Sequence, residues 1–138
     1  MREILFRGKS VNYGEWVEGS LLITTIEPVD DAPIKHYQID NTTIGVFPNE
    51  FQSGVCETVN PETVGQFTGL TDKNGKRIFE GDIVKNGDHL MLVVWYEFLA
   101  SFMLAFSVDG NYHETISNSH IYLEIIGNIH DNPELLEE

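Results

Sequence analysis

The chain has 138 residues and a mass of 15.6 kDa, with 41% apolar residues and 8 Lys plus Arg against 22 Asp plus Glu, a net charge of −14. That length holds one domain, or one domain with a sizeable extension, and the apolar share suffices for a core. The charge repels phosphate backbones, which argues against nucleic acid as a partner, and the longest apolar run, seven residues over 90–96, falls far short of the ~20 that span a bilayer.

At the N-terminus, Met1-Arg2-Glu3-Ile4-Leu5-Phe6-Arg7 has an acid and a second arginine where a signal peptide needs its apolar centre. The expected location is cytoplasmic, with no membrane partner. Residues 2–7 and 15–25 read as strands, with Trp16, Leu21, Leu22 and Ile23 as core candidates. Residues 27–33 form a polar, proline-bounded loop, and residues 34–47 a hairpin or irregular extended stretch. The single cysteine, Cys56, excludes an intramolecular disulfide and a cysteine-based zinc site; it is expected as a small buried apolar group. Asn60-Pro61-Glu62 can open one helical turn, with Asn60 capping and Pro61 at the first helical position.

Residues 63–85 are the most specific stretch, read as strand, tight turn, strand, sharp turn, strand. Val64, Gln66 and Thr68 alternate with Gly65, Phe67 and Gly69, the period of a half-buried strand. Asp72-Lys73-Asn74-Gly75 heads a turn with an Asx-type side chain and places Gly75 where a left-handed residue is needed. Glu80-Gly81-Asp82 turns the chain into Ile83-Val84, again through a glycine. Lys73, Lys76, Arg77 and Lys85 are offset by Asp72, Glu80, Asp82 and Asp88, so this hairpin reads as a solvated turn rather than an anion site. Residues 82–86, 89–98, 101–108 and 121–130 follow as strands. In 89–98, Leu90, Leu92, Val94, Tyr96 and Phe98 fill one face while Met91, Val93 and Trp95 make the other apolar too. Such a strand is covered on both sides, and the expected second cover is the N-terminal half or another subunit. Asn132-Pro133-Glu134-Leu135-Leu136 reads as a short helical tail.

The short apolar runs punctuated by glycine, without a sustained helical stripe, make the chain mainly β. The expected division is 1–62, a β-rich region, and 63–138, a small barrel with a C-terminal tail, the two able to form one compact unit. Little chemistry is legible. His120 and Glu124 on a strand lie about 13 Å apart along it, too far for one ion, and no metal, nucleophile-elbow or phosphate-loop motif is present. No catalytic residue, metal or cofactor is assigned, and the expectation is a protein that is not an enzyme. The candidate interaction surface is Asp72, Lys73, Asn74, Lys76, Arg77, Glu80, Met91 and Trp95.

Four segments carry a family resemblance: Pro61 through Leu70, Asp72 through Lys76, Phe79-Glu80-Gly81-Asp82-Ile83-Val84, and Ile126-Gly127-Asn128-Ile129-His130-Asp131-Asn132-Pro133-Glu134-Leu135-Leu136. With the opening Arg2-Glu3-Ile4-Leu5-Phe6-Arg7-Gly8 and Trp16-Val17-Glu18-Gly19, they resemble the YopX family of phage and prophage proteins. The resemblance implies an SH3-like barrel in the C-terminal half, and the 79–84 turn independently looks like the diverging turn of such barrels. It brings no catalytic or ligand residues with it. The expected function is a phage-encoded interaction module that binds itself and a host or phage protein. The alternative is an acidic DNA mimic that blocks a host nucleic-acid enzyme; direct nucleic-acid binding through the hairpin cations ranks third.

Overall fold

The computed structural model describes residues 3–41, 56–106, 113–116 and 120–137. Ten strands run through them: β1 (Phe6–Ser10), β2 (Trp16–Ile26), β3 (Ile34–Asp40), β4 (Cys56–Thr71), β5 (Arg77–Phe79), β6 (Asp82–Asn86), β7 (His89–Tyr96), β8 (Ser101–Ala105), β9 (His113–Thr115) and β10 (Glu124–Asn128). Helical geometry among the described residues is confined to single 3-10 turns at Glu97–Leu99, His120–Tyr122 and Pro133–Leu136. The protein is mainly β, as its composition implies, and all its ladders are antiparallel. The chain divides into two compact units, Glu3–Gln66 and Phe67–Glu138, with β4 contributing to both.

In the first unit β1 pairs with β2 on one side and with β4 on the other, which closes β1–β4 into a four-strand barrel. Leu5, Ile39 and Val59 are buried there. Gly19 marks the tightest approach, because a Cβ on it would run into the Asp40 carbonyl. The expected helical turn at Asn60-Pro61-Glu62 is instead part of β4. Register with β1 slips between Arg7↔Gly65 and Lys9↔Asn60, and Pro61, which has no N–H to give a ladder, sits in that irregularity. Thr63 bridges the gap: its Oγ1 accepts from Lys9 N–H at 2.8 Å and donates to the Asn60 carbonyl at 2.6 Å. Cys56 is exposed rather than buried, since it opens β4 opposite Asp40 at the end of the β3–β4 ladder. Of the stretch 34–47, residues 34–40 are strand β3, and 42–47 lie outside the described residues.

The second unit holds a five-stranded sheet in the order β10-β6-β7-β8-β9, together with the β4–β5 pairing. The closed ring is in the N-terminal unit; among the described residues no ladder joins β9 to β10. Ring closure depends on β1 pairing with β4 far along the chain, from Ser10↔Val59 to Phe6↔Gln66, and no local pattern encodes that. The expected strand 121–130 is shorter, Glu124–Asn128, because the chain first makes the 3-10 turn His120–Tyr122. Likewise β8 ends at Ala105, and residues 107–108 of the expected strand lie outside the described residues.

Strand β7 is covered on both faces, but by its own unit. Met91 and Val93 join Ile78, Val84, Leu104, Ile116 and Leu123 in one buried cluster. Leu92 joins Ile83 and Ala105 in another, over which Ile129, Leu135 and Leu136 pack. The second cover is therefore the C-terminal tail, a 3-10 turn rather than a helix, and neither the N-terminal half nor a second subunit is required for it. Replacing Leu135 and Leu136 together by alanine is expected to cost about 2–3 kcal/mol, since both are partly buried. Chemical denaturation followed by far-ultraviolet circular dichroism checks this; an unchanged midpoint would refute the tail as a cover.

Candidate functional site

Asp72 begins the turn between β4 and β5 and is only 4% exposed. Its Oδ1 accepts the N–H groups of Asn74 and Lys76, both at 2.9 Å, which is an Asx turn completed by one more bond. Its Oδ2 accepts the N–H of Ile125 at 3.0 Å. Ile125 lies in β10, at the edge of the second sheet, so this carboxylate satisfies an edge amide that would otherwise be open to a further strand. Burial by itself pushes the Asp72 pKa up. The N–H groups of Ile125, Lys76 and Asn74, with the Lys76 charge, outweigh it and hold the carboxyl below its ordinary value of 3.8.

The neighbouring residues extend this attachment. Lys73 N–H donates to the Leu123 carbonyl at 2.9 Å, and its ammonium lies 3.4 Å from Glu124. His120 Nδ1 is 3.0 Å from the Thr71 carbonyl. Residues 71–73 are in this way stitched to residues 120–125. The second sharp turn is built similarly. Gly81 takes a left-handed φ of +92°, Asp82 is 1% exposed, and its Oδ2 accepts Phe79 N–H at 2.8 Å.

These facts place the eight candidate surface residues. Lys73, Asn74, Lys76 and Arg77 are exposed on the β4–β5 turn, with the Arg77 guanidinium 6.0 Å from the Phe67 ring. Glu80 is half-buried at the next turn. Asp72 is buried and committed to backbone amides. Met91, at 1% exposure, is core and offers nothing to a partner. Trp95 stands elsewhere, 42% exposed near the end of β7 and edge-on to Phe102 at 5.0 Å.

A different grouping, invisible in the sequence, occurs in the first unit. A pocket of about 670 Å3 is lined among others by Arg7, Ser10, Tyr13, Glu15, Trp16 and Glu57. The Arg7 guanidinium lies 4.7 Å from the Trp16 ring centre and the Lys9 ammonium 5.7 Å, a cation–aromatic stack. Ser10 donates to Glu57 Oε2 at 3.2 Å while accepting Tyr13 N–H at 3.2 Å. The hydroxyl serves as the clamp of the β1–β2 turn. Strands β1, β2 and β4, the β1–β2 turn and the residue after β3 supply the lining, so only tertiary pairing reveals it. Among the described residues no three or more His, Cys, Asp or Glu are placed to hold a metal ion, and no helix is long and apolar enough to cross a membrane.

The geometry defines a mainly β protein with a closed four-strand barrel and a second sheet of five strands. The chain matches the family model described as YopX protein over residues 5–137; it belongs to the YopX family. Among solved structures it is similar to the crystal structure of protein EF1440 from Enterococcus faecalis, at 24% identity and a TM-score of 0.52, over 99% of this chain and 100% of that one. That likeness is one of fold. Comparison with curated proteins gives no match.

Asp72→Asn keeps the shape but sets an amide donor against backbone N–H groups, so it is expected to cost about 1–3 kcal/mol. Because the folded pKa is depressed, the ionised carboxylate stabilises the protein above pH 3.8. That contribution fades as the pH falls through the lower, folded value. Acid titration of the two proteins should therefore show a steeper loss of stability in the wild type. Parallel curves would show that the Asp72 carboxylate does not contribute in this way.

Proposed function

We propose that this protein is a phage- or prophage-encoded, non-enzymatic interaction module of the host cytoplasm, one that binds a protein partner and also itself. The observation that carries the reading is the end of the β7–β8 hairpin. Phe98 is 87% exposed and Leu99 57%, on the 3-10 turn that Ala100 closes in the left-handed conformation at φ +48°. Single exposed apolar residues are ordinary. Here Tyr96 lies 6.3 Å from Phe98, and Trp95, at the same end of the hairpin, is backed by Phe102. Aromatic side chains held at a loop end on a rigid sheet are the residue types that anchor protein interfaces.

The topology of the second unit supports the finer reading as an SH3-like barrel. Its strands follow a meander, β6-β7-β8-β9, whose last strand β10 returns beside β6, and a 3-10 turn immediately precedes β10. SH3 domains recognise partners through aromatic-lined grooves. No cofactor enters this reading. Pairing of Lys73 with Glu124 and burial of Asp72 support a structural turn at 72–77 over a basic docking patch.

Affinity capture from a lysogenic host, using the full chain and Phe98→Ser, tests this proposal. The side chain is almost fully exposed, so its loss should change stability by less than about 0.5 kcal/mol. Recovery of the partner protein should fall at least tenfold. Equal recovery of the same partner by both proteins would remove the hairpin end as its anchor.

A further inference from the structure

We propose that two copies of this chain join by antiparallel pairing of the outer edges of β2, residues 20–26 of one against 26–20 of the other, about a two-fold axis at Ile23. This inference rests on the reading of the protein as self-associating and names the surface that does it. Strand β1 pairs with β2 only as far as Phe6↔Gly19. Beyond that point β2 is bonded to β3 on one side, in seven regular pairs from Ser20↔Asp40 to Ile26↔Ile34. Among the described residues no strand lies on its other side.

The open segment reads Ser-Leu-Leu-Ile-Thr-Thr-Ile. Natural edge strands are blunted by lysine, by proline, by a bulge or by shortness; this one has none of these. Leu22, Ile23 and Ile26 are 46%, 47% and 56% exposed, and Ile34, opposite Ile26, is 53% exposed. A two-stranded ribbon wet on both faces is marginal in water. Edge-to-edge addition converts two such ribbons into one four-stranded sheet and brings their apolar side chains together.

The uncharged seam and its charged ends fit a second copy as the occupant. Each chain carries −14, so two copies repel most of all where acids face acids, and least along a seam without charge. Two-fold pairing about Ile23 sets Ser20 opposite Ile26, Leu21 opposite Thr25 and Leu22 opposite Thr24, so no ionic group faces another. The seam then ends where each copy's β1 begins. There the acidic turn of one copy, with Glu27, Asp30 and Asp31, falls beside the β1 of the other, which carries Arg7 and Lys9. A strongly basic partner would instead seek the acidic surface and gain nothing from an uncharged strip.

The test is light scattering of the full chain over a roughly hundredfold range of concentration, with Ile23→Lys beside the wild type. The wild type should pass from monomer to dimer. In Ile23→Lys the two new charges meet on the axis, and the midpoint should rise at least tenfold while the circular dichroism spectrum is kept. Cross-linking covers a variant that misfolds. In a Cys56→Ser background, Ile23→Cys places two thiols at a directly opposed pair, about 4.5–5.5 Å between Cα atoms. It should oxidise to a covalent dimer, whereas Val29→Cys, on the turn, should not. A wild-type dimer whose midpoint Ile23→Lys leaves in place, or that Ile23→Cys fails to lock, overturns the seam and leaves self-association standing. A wild type that stays monomeric throughout overturns both.

Discussion

The second unit depends on what one buried carboxylate is bonded to. Asp72 has no exposed surface to speak of, and a charge in that position is costly unless its lone pairs are filled. Two amides of its own turn and one from β10 fill them. The local bonds define the β4–β5 reversal; the bond to Ile125 fixes that reversal against a strand more than fifty residues later. Asp82 repeats the device on a smaller scale through Phe79 N–H. Together they hold two reversals of the second unit by side chain to backbone bonds, Asp72 doing so at the β10 edge of the sheet.

The same accounting of backbone groups separates two of the strand edges of this protein. The β10 edge has its Ile125 amide satisfied by Asp72, and Lys73 adds a bond to Leu123. The outer edge of β2 beyond Gly19 has no comparable cover among the described residues. One edge is finished within the chain; the other has no strand beside it among the described residues. The contrast matters because the two-faced apolarity of β7, which by itself suggests a subunit contact, is satisfied internally by Ile129, Leu135 and Leu136. Among the described residues the β2 edge lacks cover, whereas β7 has its own.

Much of the chemistry of residues 63–85 is local and was legible. Asp72 with Gly75, and Gly81 before Asp82, specify reversals through side-chain bonds and left-handed backbone, both of which act within four residues. The reading of that hairpin as architecture over anion site has its counterpart in buried Asp72 and paired Lys73. The reach of Asp72 to Ile125 was not legible, because nothing in the spacing of the two residues records it. Met91 shows the same limit: alternation puts it on a face, but whether that face meets solvent or core depends on Leu104, Ile116 and Leu123. Pro61 misled for a related reason, since a proline that opens a helix and a proline in a bulge carry the same local signature until the register of β1 against β4 is known.

By itself the sequence determined the family, the mainly β class and the position of the sharp turns, because period-two patterning and glycine or Asx chemistry act over a few residues. Tertiary structure alone decided that β1–β4 close into a ring, what covers β7 and which strand edges are paired among the described residues. Each of those outcomes depends on pairing between segments far apart in the chain. Long-range register is set by the sum of many weak contacts, and no short stretch of residues contains it.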